Sequence, residues 1–442
     1  MKTLSRRHFL QLSGMGAAGV ALAACAVPVP ATDGMAAMEP VHLQANIAFT
    51  QADYGLQYQT IEKWRDLFED THEGITVELA FVDWSEHHNK MLVLAAANEL
   101  PDFIEVQASR SLLWIIEGVF LDIDGYAAAD PGFDMDDFFE GVMGYYRWDG
   151  KTFALPYDHG PINLGFNKTL FEERGIATPT DDWTFDDLRA AAVAFAQEED
   201  TWGFSGMPRS WLLEPSYLTP WGASLFNEDE TECTIDSEEA IAALQWWVDL
   251  RFVDEAIPNS AQSEVLATAG GDFVSGKVAM TTVAPWTAPT WNALADFEWD
   301  VAAWPAGPVT RSTAGLGSGY GITKDTEHPE AAWEWLAWMT SAEGLAFVWA
   351  ASGASTPPRK SVFDVYFSAP GIAPNSQAFL DAMDNYMQIG RPVSPYGAEF
   401  TAIRNREMDL INNGLKPVAE AVADMKNDGD PILAKNRELY GS

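Results

Sequence analysis

Cysteine is almost missing from this chain of 442 residues, which has only Cys25 and Cys233. Two cysteines cannot supply the clustered thiolates of a structural zinc site. Histidine is also scarce, and although His87 and His88 are adjacent, no histidine recurs four residues after another as in a zinc-binding helix. We therefore expect no metal and no cofactor.

Basic residues are few relative to acidic ones, with 26 Lys and Arg against 65 Asp and Glu, which gives a formal net charge of −39. The negative electrostatic field of such a chain repels nucleic acid and anionic lipid, so neither is expected as a partner. It also disfavours an anionic small ligand unless a local basic pocket overrides it. The composition leaves open whether this acidity reflects a salty habitat.

Motifs of hydrolases and nucleotide-binding enzymes are absent as well. The sequence has no Gly-x-Ser-x-Gly elbow and no P-loop. A glycosidase needs two carboxylates roughly 5–9 Å apart, but among 65 acidic residues some pair will always look suitable. We therefore predict that the chain has no catalytic residues, and a secreted glycosidase remains the least favoured alternative.

Long apolar runs are absent, and the one uncharged stretch near the start, residues 12–24, is too short to cross a bilayer. It follows the twin arginine Arg6-Arg7 and ends in Leu-Ala-Ala before Cys25, as in a twin-arginine signal with a lipobox. Residues 1–24 are predicted to be a signal peptide and 25–40 a flexible tether. Lipid on Cys25 would then anchor an exported protein to the outer face of the cell membrane, leaving Cys233 without a disulfide partner.

The sequence does contain a large apolar fraction, 47%. About 400 residues follow the predicted tether, which is enough for two or more lobes. Short β-rich runs alternate with amphipathic helical runs. The order is strand 41–49, helix 58–69, strand 76–82, helix 86–97 and strand 102–106. This βαβαβ order predicts a parallel sheet covered by helices.

The same alternation continues further along the chain. Thr184 and Asp187 form the pattern of a capping box, and Ser237 is positioned to cap a helix that runs to about Phe252. Residues 276–283 are predicted to form a strand, and residues 331–350 a strongly aromatic helix. The tryptophans inside these helices are expected to pack in the core.

Four segments in order resemble the extracellular solute-binding family that includes maltose-binding protein. They are Leu-Pro-Asp-Phe-Ile-Glu at 100–105, Ala-Leu-Pro-Tyr at 154–157 with Leu-Gly-Phe-Asn-Lys at 164–168, Phe-Val-Ser-Gly-Lys-Val-Ala-Met at 273–280 with Pro-Trp at 285–286, and Gly-Ser-Gly-Tyr-Gly-Ile at 317–322 with His-Pro-Glu-Ala-Ala-Trp at 328–333. Phe166 stands where the family usually has Tyr, and Asp182 where it commonly has Thr.

The resemblance implies an α/β periplasmic-binding-protein fold with two discontinuous lobes and a central ligand cleft. It places lobe one at 41–154 plus 322–388 and lobe two at 155–321 plus 389–442. It also implies a monomer that captures a small solute, expected to be a carbohydrate, by lobe closure and passes it to the permease subunits of an ABC importer. A polyamine, a peptide or a glycerol phosphate remains an alternative solute.

A sugar offers an apolar C–H face and a rim of hydroxyls, so its site needs aromatic plates and short polar groups. The aromatic candidates lie at predicted strand ends, crossings and family-matched loops, and they are Tyr54, Trp84, Tyr157, Trp221, Trp286 and Tyr320. The polar candidates are Asp53, Glu105, Arg110, Asp158, Glu214 and Arg359.

Overall fold

The computed structural model describes residues 40–48, 51–197, 200–208, 210–228, 230–269, 271–389 and 397–440. The predicted signal peptide, the predicted tether up to residue 39 and Cys25, the predicted lipidation site, lie outside these residues. No helix within the described part combines the length and the apolarity needed to span a membrane.

The described residues contain fourteen strands. They are β1 (Val41–Ile47), β2 (Ile75–Phe81), β3 (Phe103–Gln107), β4 (Arg147–Trp148), β5 (Lys151–Thr152), β6 (Leu155–Pro156), β7 (Gly160–Pro161), β8 (Asn163–Asn167), β9 (Trp202–Ser205), β10 (Val278–Val283), β11 (Trp299–Ala302), β12 (Thr313–Leu316), β13 (Ser318–Ile322) and β14 (Met387–Ile389).

Sixteen α-helices accompany these strands in the described residues. They are α1 (Gln51–Thr71), α2 (Trp84–Ala97), α3 (Ala108–Ile116), α4 (Asp124–Ala129), α5 (Glu140–Met143), α6 (Lys168–Arg174), α7 (Phe185–Ala196), α8 (Glu238–Phe252), α9 (Ser260–Ala267), α10 (Ala288–Leu294), α11 (Pro329–Thr340), α12 (Ala342–Val348), α13 (Phe363–Phe367), α14 (Gln377–Asn385), α15 (Gly397–Asn412) and α16 (Val418–Tyr440).

The first sheet has the order β2-β1-β3-β13-β6. Strand β1 pairs in parallel with β2 and β3, and β13 runs antiparallel to β3 and β6. In β2 the buried Ile75 and Val77 alternate with the exposed Thr76 and Glu78, which turns one face toward the core beneath α1 and α11. The predicted βαβαβ order is thereby confirmed.

The second sheet has the order β11-β8-β10-β9 and carries a separate core. Helix α7 packs on it, and its N-terminus is fixed by the predicted capping box, in which Thr184 N–H donates to Asp187 Oδ2 over 2.8 Å and Asp187 N–H donates to Thr184 Oγ1 over 3.3 Å. Ser237 caps α8 as expected. Two sheets with two cores confirm the α/β fold class.

Two chain segments cross side by side from the first sheet to a third one, β14-β12-β7. One segment carries β6 and then β7, and the other carries β12 and then β13, with Gly319 paired to Pro156 and Leu316 paired to Gly160. At the crossing itself a Cβ on Gly317 would lie 2.3 Å from the carbonyl oxygen of Asp158. Only glycine allows the two backbones to approach this closely.

The structure differs from the sequence-based element bounds at two helices. Helix α1 begins at Gln51 rather than Tyr58, and the expected helix over 331–350 is divided into α11 and α12 at Ser341. The hydroxyl of Ser341 accepts a hydrogen bond from the N–H of Gly344 over 2.9 Å, so this residue caps a second helix instead of continuing the first.

The segment before β14 packs with the second sheet. Ala373, Ala378 and Phe379 are buried in a cluster with Val283 and Val301. Val283 belongs to β10 and Val301 to β11. The lobe border at residue 388 stays a prediction.

Candidate functional site

A cavity of about 700 Å³ opens where the two crossing segments meet. Its aromatic lining consists of Trp84, Tyr157, Trp211, Trp286, Trp291 and Trp349. Its polar lining consists of Asp83, Gln107, Asp158, Thr287, Thr290, Ser318 and Ser355. The size and this mixture of aromatic plates with a few polar groups are typical of a small-molecule site.

The walls of the cavity are built from strand ends. Asp83 and Trp84 follow the carboxyl end of β2, and Gln107 is the last residue of β3. Trp286 follows β10 of the second sheet in a short 3₁₀ helix, Pro285–Thr287. Ligands of open α/β sheets bind outside the carboxyl ends of the strands, and here those ends from both sheets face the same space.

Gly160, like Gly317, lies where the two chain segments cross, and it allows Pro285 and Trp286 to pack closely against them. A Cβ on Gly160 would lie 2.6 Å from Cδ of Pro285 and 3.2 Å from the indole of Trp286. The indole is half-buried and also packs against the cluster of Ile162, Ala284 and Ala314. Its orientation toward the cavity is thus set by packing rather than left to a free rotamer.

Tyr157 forms the floor of the cavity as the middle ring of a three-ring stack. Its ring centroid lies 4.5 Å from that of Tyr320 and 4.5 Å from that of Trp349, with interplanar angles of 25° and 16°. Tyr320 is fully buried and continues the stack to Phe103 in the core, at 4.9 Å. Offset stacks of this kind hold their members rigidly, so the floor is preorganised.

Two carboxyl groups, those of Glu105 and Asp158, form hydrogen bonds around Tyr157. The hydroxyl of Tyr157 donates to Oε1 of Glu105 over 2.7 Å, and the N–H of Ala48 donates to Oε2 over 2.8 Å. Asp158 accepts the N–H of Ser318 over 2.5 Å and the hydroxyl of Ser355 over 3.3 Å. The pair therefore ties both crossing segments to lobe one.

Burial perturbs both acids. Desolvation raises the pKa of Glu105, which has no exposed surface, to about 8, although its hydrogen bonds oppose the change. Desolvation likewise raises the pKa of Asp158 to about 7. Near neutral pH, Glu105 is therefore mostly protonated and Asp158 is close to its midpoint, which marks this region as a candidate functional site.

The structure brings several of the predicted site residues together. Trp84, Tyr157, Asp158 and Trp286 line the cavity. Glu105 and Tyr320 have no exposed surface, and both hold Tyr157. These six form one connected site across the crossing.

Other predicted residues do not reach the cavity. Trp221 is only 9% exposed and packs in the second core with its ring 4.5 Å from that of Phe185. Glu214 is buried too, and it accepts the N–H of Leu225 and lines a separate depression of about 350 Å³.

The two predicted arginines also lie elsewhere. Arg359 is 2% exposed, donates to the carbonyl oxygens of Thr340 and Asp134, and lies over the rings of Phe133 and Phe138. This buried cation stabilises a loop of lobe one. Arg110 is exposed on α3 and does not line the cavity.

Asp53 and Tyr54 lie in the first turns of α1 rather than in a loop. Their side chains are outside what the structure describes, so their part in the site stays a prediction.

Sequence reasoning missed several lining residues. Trp349 ends a helix whose tryptophans were expected to be core, and Trp211 lies in a segment without periodicity. Signals did exist for three others: Asp83 immediately precedes Trp84 at a strand end, Ser318 lies inside the family-like Gly-Ser-Gly-Tyr segment, and Trp291 follows Trp286 by five residues.

The comparisons with known proteins agree with this architecture. Residues 49–346 match the family model described as bacterial extracellular solute-binding protein. The erythritol/L-threitol-binding protein of Mycolicibacterium smegmatis is 25% identical over 425 residues, which cover 87% of each chain.

Two solved structures share the fold. An ABC substrate-binding protein from Listeria monocytogenes, in complex with cycloalternan, superposes with a TM-score of 0.78 at 22% identity and covers 89% of this chain and 99% of its own. The GacH receptor of Streptomyces glaucescens, solved unliganded and with acarbose, gives 0.74 at 23% identity, covering 91% and 99%.

Proposed function

The chain belongs to the bacterial extracellular solute-binding protein family, and from that premise we propose that it captures a sugar or oligosaccharide in the cavity and delivers it to the permease of an ABC importer. It does so without catalysis, by closure of the two lobes around the solute. The observation that carries the proposal is that six aromatic side chains line one cavity at the crossing.

The chemistry of the lining supports a saccharide. Indole faces match the C–H faces of a pyranose, and the carboxylates, hydroxyls and the amide of Gln107 match its hydroxyl groups. The relatives support the same class, since their names record erythritol or L-threitol, cycloalternan and acarbose as ligands. These are polyols and saccharides of different lengths, so the length of the ligand here is left to experiment.

The crossing supports closure as the mode of capture. Residues from both sheets line the cavity, and the segments that connect them are short strands packed at Gly317 and Gly160. Small rotations about such connections bring the two walls together. The lobes that rotate are proposed to be 41–154 with 322–372, and 155–321 with 373–442.

A thermal-shift panel of mono- and oligosaccharides tests the function. At a ligand concentration about 100 times the Kd, binding to the folded form adds roughly 2.7 kcal/mol of stability, so at least one saccharide should raise Tm by roughly 3 °C or more. A panel without any shift would contradict the sugar proposal. A shift with putrescine or a peptide alone would instead identify one of the other solute classes.

Membrane anchoring through Cys25 is part of the proposal, and it rests on the Arg6-Arg7 pair and the Leu-Ala-Ala-Cys segment. Cells that express the full chain and are fed an alkyne fatty acid should label the wild type, and Cys25→Ser should reduce the label at least tenfold. Cys233→Ser is the matched control, since this buried thiol should leave the label unchanged. Equal labelling of Cys25→Ser and the wild type would refute the anchor.

A further inference from the structure

The thioether of Met387 contacts the first crossing segment. Met387 is the first residue of β14, and its Sδ lies 3.0 Å from Nε2 of His159, between β6 and β7. A thioether sulfur accepts hydrogen bonds and donates none, so the imidazole carries its proton on Nε2 and donates it to the sulfur. Burial lowers the pKa of His159 to about 3, which keeps the ring neutral at physiological pH.

The second crossing segment reaches the same place at Gly315 in β12. A Cβ on Gly315 would lie 2.7 Å from Nε2 of His159 and 2.7 Å from Cγ of Met387. The backbone of β12 therefore passes the imidazole and the thioether with no space for a further heavy atom on that side. The contact of His159, Gly315 and Met387 is called the junction below.

The junction is linked directly to the lining of the cavity. The backbone N–H of His159 donates to the carbonyl oxygen of Thr356 over 3.2 Å, which adds a third segment to it. In each of the three segments the next residue along the chain lines the cavity, as in the pairs Asp158-His159, Gly315-Leu316 and Ser355-Thr356. A displacement at the junction is therefore transmitted to the lining through single peptide links.

Met387 is accessible to a small reagent. Most methionines in the described part of the chain are buried in the cores, whereas Met135, Met383 and Met387 are half-buried. Exposure is the main determinant of methionine oxidation. Met383 lies four residues before Met387 and packs against the first core, so it provides a matched comparison.

Hydrogen peroxide converts a thioether into a sulfoxide. A sulfur lone pair attacks one peroxide oxygen, and the S–O bond forms as the O–O bond breaks. The released hydroxide takes the proton of the transferred oxygen and leaves as water. The sulfur is oxidised by two electrons and the peroxide is reduced by two.

This reaction at Met387 changes the geometry of the junction. The new oxygen takes one sulfur lone pair and is a stronger acceptor than the sulfur. His159 keeps its hydrogen bond only if the ring or β14 moves by the length of the new bond. Since β12 leaves no space at Gly315, the movement separates the strands of the third sheet.

We propose that Met387 is an oxidation site that regulates capture: its sulfoxide displaces the crossing segments and weakens binding of the solute, and reduction restores it. Met387 acts through His159 and Gly315 and is a positioning residue. The inference rests on the proposed function for the ligand. The displacement itself needs no ligand, so the two can be tested apart.

Calorimetry with the saccharide that gives the largest shift in the panel tests the effect on capture. The parent is the full chain with Cys25→Ser, in which Cys233 is buried. Peroxide should weaken its binding at least fivefold, and methionine sulfoxide reductases A and B together should restore it. Met387→Leu should keep its own affinity within twofold after peroxide, whereas Met383→Leu should lose affinity as the parent does.

Peptide mass spectrometry of the same samples locates the sulfoxide. Failure to form it at position 387, an unchanged or tighter affinity of the oxidised parent, or an equal loss in Met387→Leu would overturn the inference.

Met387→Gln imitates the sulfoxide without an oxidant, because its side chain has a similar length and ends in a carbonyl oxygen. It should bind the same saccharide at least threefold more weakly than the parent, while Met383→Gln stays within twofold. Equal affinities of the two glutamine variants would contradict the role of the junction.

Hydrogen exchange of the ligand-free protein tests the displacement itself. The N–H of Tyr157 donates to the carbonyl oxygen of Ser318 over 3.0 Å, and that of Ile162 to the carbonyl oxygen of Ala314 over 2.9 Å. Both amides therefore report on the pairing of the crossing segments. After peroxide they should exchange several-fold faster in the parent and not in Met387→Leu, while the amides of α8 stay unchanged.

Equal exchange before and after oxidation would overturn the inference, whatever the protein binds. If no saccharide binds, the proposed function fails, while the exchange rates still decide whether oxidation displaces the crossing segments.

Discussion

Glu105→Gln is expected to make the protein more stable than the wild type at pH 9, with an advantage that shrinks as the pH is lowered to 5. The cause is the pKa of the carboxyl group, which burial raises from 4.5 to about 8. Folding therefore favours the protonated acid. Its contribution to stability is complete below the unfolded pKa and is lost as the pH rises through the folded one.

The size of the effect follows from that shift. Each pKa unit corresponds to about 1.36 kcal/mol, so between pH 5 and pH 9 the wild type should lose about 4 kcal/mol relative to the variant. Glutamine cannot ionise, and its amide matches the existing geometry. Its oxygen can accept the N–H of Ala48, and its nitrogen can donate to the hydroxyl oxygen of Tyr157.

Urea denaturation midpoints of both proteins at pH 5, 7 and 9 provide the measurement. Glu334→Gln on the exposed face of α11 is the matched control, and its difference from the wild type should not change with pH. Asp158→Asn should show the same sign over a lower range, because burial raises the pKa of Asp158 only from 3.8 to about 7. A constant difference between Glu105→Gln and the wild type across this range would disprove the raised pKa.

The fold was predictable where apolar periodicity was strong and caps were explicit. Strands β1 to β3 and helix α2 lie within a few residues of their expected bounds, and the capping box at Thr184 is formed. The start of α1 was missed because its first seven residues, Gln51 to Gln57, show no helical apolar pattern. The break at Ser341 was missed because the apolar pattern runs through it, although a Ser followed by an acidic first turn is a capping signal.

In the candidate site, the lining residues that follow strand ends were predictable. Trp84 and Trp286 follow strands directly in the sequence, and an α/β sheet places such positions at the ligand edge. Candidate residues that do not line the cavity, such as Arg359, are held by partners far away in the sequence. The guanidinium of Arg359 bonds the carbonyl of Asp134, 225 positions away, and no local pattern distinguishes this burial from a ligand contact.

The 18 tryptophans were hard to assign for the same reason, because some of them pack in the core and others line the cavity. Trp221 and Trp286 both follow a proline, and each lies in a 3₁₀ turn. One is buried among Phe185 and Trp246, and the other faces the cavity. Only the packing of the whole lobe decides between these outcomes, and replacing each residue separates them by experiment.

Trp286→Ala and Trp84→Ala are each expected to weaken binding of the saccharide selected by the panel about 30-fold or more. A buried aromatic anchor in a binding site is typically worth ~2 kcal/mol or more, and ~1.4 kcal/mol corresponds to a factor of ten in Kd. The two residues line the same cavity but follow strands of different sheets, so the double variant should lose more than either single one. Stability should change less than affinity, since both side chains are only half-buried.

Trp221→Ala is expected to give the reverse pattern. Removing this core side chain should lower the free energy of unfolding by about 3–5 kcal/mol, while the folded protein keeps its affinity within about twofold. Calorimetric titration and urea denaturation of the same samples measure the two quantities side by side. Trp148→Ala, at a residue 48% exposed beside the β4–β5 turn, should change neither.

The contrast between these variants decides whether the cavity is the binding site. Loss of affinity in Trp221→Ala without loss of stability would place the ligand near Trp221 and refute the assignment. Unchanged affinity in both Trp84→Ala and Trp286→Ala would also refute the assignment of the cavity as the binding site. If the two patterns separate as expected, the cavity is the binding site, and Trp349 is the part of its lining that rests on Tyr157, which Glu105 and Tyr320 already hold in place.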